Sequence, residues 1–122
     1  MQINTITTDS VENELTFQKK VQLAVLRLDK IHPIVSGNKW FKLQHYIPDA
    51  AEKGFHTLLT FGGAYSNHIA ATAYTAKEFG VKAIGIIRGE EPRQWSHTLQ
   101  EAATLGMQLI LLPRKEFALV KR

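Results

Sequence analysis

The chain has 122 residues, 44% hydrophobic and 21% charged, a balance that suits one compact globular domain and leaves little room for two. It contains no cysteine, which excludes disulfide scaffolds and thiolate chemistry and fits a reducing compartment. The net charge is +4, yet Lys and Arg are scattered, the densest group (RKEFALVKR, residues 114–122) is terminal, and no basic stripe with interleaved aromatics appears; nucleic acid is not an expected partner.

The N-terminal MQINTITTDSVENELTF has neither the basic start nor the apolar centre of a signal peptide, and no apolar run is long enough to span a bilayer. A soluble, cytoplasmic protein without a membrane partner is the expectation. Residues 21–29 (VQLAVLRLD) are rich in β-formers and read as a strand. Residues 31–38 (IHPIVSGN) follow as a loop punctuated by Pro33 and Gly37. From Asn38 the apolar residues Trp40, Leu43, Ile47 and Ala50 step at helical spacing, with Gly54 as the stop. Pro48 lacks an N–H, so the helix is expected to kink or restart there.

Residues 56–63 (HTLLTFGG) form a short apolar run ending in two glycines, a buried strand. Residues 66–80 place Ile69, Ala73, Ala76 and Phe79 on one helical face, closed by Gly80. VKAIGIIRG (81–89) is a second apolar strand, QWSHTLQEAATLG (94–106) a helix closed by Gly106, and MQLILLP (107–113) a third strand ended by Pro113. Strands apolar on both faces, alternating with helices, predict an α/β fold: a three-layer, Rossmann-like parallel sheet covered on both sides. The strand in 21–29 stands outside that rhythm and belongs to another sheet or an edge.

Ligands of such sheets bind at the carboxyl ends of the strands, beside helix N-termini. The first turn of that kind is FGGAYSNHIAA, residues 61–71. Ser66 or Asn67 can cap the helix, and Ser66, Asn67 and His68 together place three hydrogen-bonding side chains on one rim. The residue types allow either a plain capped turn with a solvated His68 or a binding surface. No nucleotide phosphate loop is present, no GxSxG elbow surrounds Ser66, and the five histidines lack metal-ligand spacing, so no metal is expected. Lys39 and Lys42 lie in the first helical turn, where a cation costs about 0.3–1 kcal/mol. They share a face. Either both are merely solvated, or an anion offsets the cost, or one is a Schiff-base nucleophile.

The segment 36–90, with SGNKWFKL at its start and GGAYSNH at its centre, closely resembles the 1-aminocyclopropane-1-carboxylate deaminase and D-cysteine desulfhydrase family. These are fold-type-II, tryptophan-synthase-β-like enzymes that use pyridoxal 5′-phosphate. The likeness runs from about Val25 to about Leu112 and rests on GNK, a following Lys-Leu and the Gly-Gly-x-x-Ser-Asn-His turn. It implies that Lys39 is the Schiff-base lysine that also moves the substrate proton. Lys42 matches a lysine near the cofactor phosphate, and Asn67 the partner of the ring hydroxyl. Ser66, Asn67 and His68 match the turn that holds the substrate carboxylate, with Ser66 also a proton shuttle or nucleophile.

The resemblance further implies residues 1–35 as an N-terminal arm and strand, and 36–122 as the family's α/β small domain. The reaction would release ammonia and a 2-oxo acid from a small amino acid by way of an external aldimine. The family's glycine-rich phosphate loop, the partner of the pyridine nitrogen and the tyrosines that divide deaminase from desulfhydrase fall outside these residues. The isolated chain is therefore expected to be inactive, with exposed apolar surface that leaves room for a homo-oligomer. The competing reading is a non-catalytic anion- or metabolite-binding α/β module.

Overall fold

A computed structural model of the chain describes residues 1–120. It opens with a hairpin of which the sequence pattern shows only half. Strand β1 (Thr8–Val11) pairs antiparallel with β2 (Leu23–Leu26), Thr8 opposite Leu26 and Val11 opposite Leu23. A short helix, α1 (Glu14–Gln18), bridges them. The Asn13 side chain accepts from the Thr16 amide at 3.0 Å, and the Thr16 hydroxyl accepts from the Asn13 amide at 3.0 Å. These reciprocal bonds satisfy two donors that a helix start otherwise leaves open. Arg27 clamps the hairpin base, donating to Asp9 and, at 2.6 Å, to Asp29. Those bonds hold the Asp29 carboxyl down at about 2. Every residue of β2 is exposed, so polar contacts rather than a core define this unit.

A 3₁₀ turn (Leu28–Lys30) leads into residues 31–35, where Ile31 and Val35 are fully buried. His32 Nδ1 accepts the amides of Ile34 at 3.1 Å and Val35 at 3.0 Å, and its ring lies 4.7 Å from that of Tyr74. Gly37 has φ +62°, a left-handed conformation that a side chain would strain, and its amide donates to the Leu28 carbonyl at 2.8 Å. This turn launches α2 (Lys39–Glu52), which buries Leu43 and Ile47. The expected break at Pro48 does not occur: the helix runs through it. Pro48 lies on the exposed side, where water can serve the Gln44 carbonyl that it leaves unpaired.

The remaining elements alternate as their periodicity requires: β3 (Thr57–Gly63), α3 (Asn67–Glu78), β4 (Lys82–Arg88), α4 (His97–Thr104), β5 (Gln108–Leu112) and α5 (Arg114–Val120). The three strands are parallel in the order β3-β4-β5. Gly63 is level with Arg88, and Arg88 with Leu112, so the carboxyl ends line up along one rim. Helices α3 and α4 share one sheet face. Ile69, Ala73 and Ala76 meet Leu99 and Ala102 over Ala83, Ile87 and Met107.

Strand alternation sends Leu59, Phe61, Ile84, Ile86 and Ile110 to the other face. There α5 lays Phe117 against Phe61, ring centroids 5.9 Å apart and nearly perpendicular. The two faces are thus covered unequally. Helix α2 packs beside α3, with Leu43 against Val35 and Ala71. The architecture is the three-layer α/β fold with an N-terminal hairpin arm. Among the described residues, no helix is long and apolar enough to cross a membrane.

Candidate functional site

Strand β3 ends in a turn whose shape depends on Gly62. A Cβ there would fall 2.5 Å from Ile69 Cγ1 and 3.0 Å from Ser66 Cβ, so only hydrogen fits where the strand meets α3. Gly63 faces the opposite situation, since a Cβ would meet nothing within 4 Å. Ser66 does occupy the N-cap of α3, but its hydroxyl makes no capping bond. Its carbonyl instead takes the amides of Ile69 at 3.0 Å and Ala70 at 3.3 Å. Among the described residues, the Ser66 hydroxyl, the Asn67 side chain and the first amides of α3 are left free to serve a ligand.

His68 is half-buried, with Nε2 2.8 Å from the Thr60 hydroxyl. The Thr72 hydroxyl donates to the His68 carbonyl at 2.8 Å. Burial, and then the charges of Lys39 and Lys42, push the imidazole pKa below its usual value. The ring is therefore neutral at neutral pH, a form that can donate at one nitrogen and accept at the other.

Lys39 is the first helical residue of α2, and no acidic residue occupies that first turn. Its Nζ donates to Asn38 Oδ1 at 2.7 Å. That bond occupies the oxygen which would otherwise cap the helix, and Asn38 makes no capping bond. Among the described residues, neither Lys39 nor Lys42 forms an ion pair. Both line one cavity of about 960 Å³ together with His68, Thr60, Thr72 and Phe55. Lys39 and Lys42, far from His68 in sequence, thus line the same cavity as it does. Ser66 and Asn67 do not line this cavity; they precede His68 at the α3 N-terminus.

Thr60 and Thr72 are the site residues that spacing alone does not reveal. Thr60 carried a signal: it is the polar interruption of an apolar strand, two positions before Gly62 and so on the same face. Among the described residues no cluster of three potential ligands could hold a metal ion. The donor set suits an organic anion. Two ammonium groups without carboxylate partners, open helix amides and a free hydroxyl can hold a phosphate or carboxylate. A primary amine can engage a carbonyl carbon, and a Cβ added at Gly63 would meet nothing within 4 Å. The residues present therefore fit pyridoxal 5′-phosphate.

No protein-family model matches the chain. Individual relatives do. A Thermotoga maritima protein named "Putative 1-aminocyclopropane-1-carboxylate deaminase" is 40% identical over 93 residues, covering 76% of this chain and 30% of its own length. A rice protein (Oryza sativa subsp. japonica) named "Putative D-cysteine desulfhydrase 2, mitochondrial" is 40% identical over 68 residues, 56% of this chain and 17% of its own. Among solved structures, an ACC deaminase homologue superposes with a TM-score of 0.74 at 24% identity, over 88% of this chain and 32% of that one. The chain therefore spans less than a third of each of these three proteins, and at 24% identity the superposition speaks to fold alone.

Proposed function

Starting from homology to the 1-aminocyclopropane-1-carboxylate deaminase and D-cysteine desulfhydrase family, we propose that this chain carries the lysine-bearing part of a pyridoxal 5′-phosphate-dependent enzyme. Such an enzyme takes a small amino acid of the 1-aminocyclopropane-1-carboxylate or D-cysteine type and, with water, releases ammonia and a 2-oxo acid, together with hydrogen sulfide in the D-cysteine case. The observation that carries this reading is the joint placement of Lys39 and Lys42 on one cavity with His68. When bound, the cofactor supplies an electron sink for bond breaking next to the amino group.

Each residue then has a role that its chemistry allows. Lys39 would hold the cofactor through Nζ and take and return the substrate proton at that atom. Lys42 would balance the phosphate charge. The Asn67 amide would orient the ring hydroxyl. Ser66, Asn67 and His68 would hold the substrate carboxylate, and Ser66 Oγ can pass a proton. Residues 1–35 are read as the arm and 36–122 as the small domain of a longer enzyme, so the 122-residue chain turns over no substrate alone.

Borohydride trapping tests this directly. Incubation with pyridoxal 5′-phosphate followed by reduction should leave a stable adduct, mapped by peptide mass spectrometry to Lys39 and absent from Lys39→Ala. Labelling spread evenly over surface lysines would instead favour a non-catalytic anion-binding module. Robust deamination by the 122-residue protein would overturn the claim that it is inactive alone.

A further inference from the structure

Ser96 lies outside the site, on α4, yet one of its bonds enters the turn that carries Ser66, Asn67 and His68. It is the N-cap of α4, and its Oγ accepts the Leu99 amide at 3.2 Å. The same hydroxyl donates to the carbonyl of Ala64, 32 residues earlier. A hydroxyl has one proton and two lone pairs, so it can make both bonds at once. Ser96 is itself braced from both sides. Trp95, partly buried against the core, donates from Nε1 to Glu91 at 3.0 Å, and Gln100 Nε2 donates to the Trp95 carbonyl at 2.7 Å. Ala64 sits between Gly63, which has open space beside it, and Tyr65, which is 82% exposed. On its inner side the turn is fixed at Gly62 by Ile69. On its outer side the Ser66 hydroxyl contributes no cap.

We propose that Ser96 is a positioning residue: it fastens the β3–α3 turn to the start of α4 and thereby sets the direction of the open amides and hydroxyl at Ser66, Asn67 and His68. A capping serine serves only its own helix; this one also sets a neighbouring loop. The role in cofactor binding rests on the proposed function, whereas the fastening itself does not.

Two substitutions separate fastening from capping. Ser96→Gly removes both hydroxyl bonds, but glycine is nearly as good an N-cap as serine, so α4 should lose little. Ser96→Thr keeps the hydroxyl. Amide hydrogen exchange of the 122-residue chain is read at Ser66, whose amide donates to the Gly63 carbonyl at 3.1 Å, and at Ile86 and Ile87 in β4. In Ser96→Gly the Ser66 amide of the turn should exchange roughly five- to tenfold faster, the consequence of one lost hydrogen bond, with β4 unchanged and Ser96→Thr near wild type. Equal acceleration in turn and strand, or none in the turn, would overturn the proposal. Borohydride trapping of pyridoxal 5′-phosphate at Lys39 forms the second arm, with labelling expected to fall in Ser96→Gly and recover in Ser96→Thr. If wild type itself fails to label, the cofactor reading falls while the exchange data still decide the fastening.

Discussion

Lys39 and Lys42 are out of place for a helix start and suited to the proposed site. The first turn of α2 contains both and no acid, and the Asn38 oxygen that should cap it is occupied by the Lys39 ammonium. The helix gives up cap and dipole energy of about 1 kcal/mol in all. Lys42→Gln should therefore stabilise the fold by a few tenths of a kcal/mol in denaturant titration while weakening capture of pyridoxal 5′-phosphate. A loss of stability instead would show that Lys42 is held by folded-state contacts. His68 provides a pH reading of the same cluster. Its folded pKa lies below the unfolded value, so between the two the unfolded chain binds more protons. The His68 contribution is thus intact above about 6.5 and declines as pH falls from there toward the folded pKa. The carboxylates Asp9 and Asp29 act later, below the ordinary aspartate value of 3.8. Thermal unfolding from pH 7 to pH 5 should show a fall that His68→Gln removes. An anion seated between the lysines cancels part of the charge that depresses His68. Inorganic phosphate or pyridoxal 5′-phosphate should therefore move its NMR titration upward, without reaching the free value because burial remains.

At the scale of elements, the two adjacent glycines of β3 have different physical reasons, and substitution should separate them. Gly62→Ala forces a methyl to 2.5 Å from Ile69, inside a core that also holds Ala73 and Leu99. It should cost about 1–3 kcal/mol in chemical denaturation, the range for overpacking. Gly63→Ala places its methyl in open space and should stay within about 0.5 kcal/mol of wild type, yet it narrows the surface where a ring would lie. The glycine pair was legible in FGGAYSNH, but its division of labour was not, because contact with Ile69 depends on how α3 folds back. The parallel sheet was legible because its strands are apolar throughout, although only the face under α3 and α4 is fully sealed. Strand β1 was not, since Thr8, Asp9 and Ser10 carry no apolar side chain to pattern and are held by pairing and by Arg27. Helix α5 looked like a terminal charge run and is fixed by one residue, Phe117. The site was legible in its residues but not in its assembly. Lys39 and His68 meet because α2 and α3 pack through Leu43 and Ala71, a contact that no local spacing encodes.

At the scale of the whole molecule, the unequal covering of the sheet has a consequence in solution. One face is sealed by α3 and α4, while among the described residues the other receives only α5 and leaves Leu59 57% and Ile110 38% exposed. Parallel sheets are ordinarily buried on both faces, and an open apolar face favours association. The hairpin arm exposes a second apolar set that includes Leu15, Phe17, Leu23 and Leu26. A two-stranded unit is marginal by itself, whereas the sheet face rests on a packed core, so the better-ordered sheet face should dominate. The +4 charge opposes contact between copies, and salt screens that repulsion without weakening apolar burial. Sedimentation velocity should then show self-association that grows with concentration and with added salt. Leu59→Lys should abolish most of it by placing a charge on the open face, whereas Phe17→Ser should change it little. The reverse ranking would move the contact to the arm, and a monomer at every concentration and salt level would show that α5 covers the face well enough by itself.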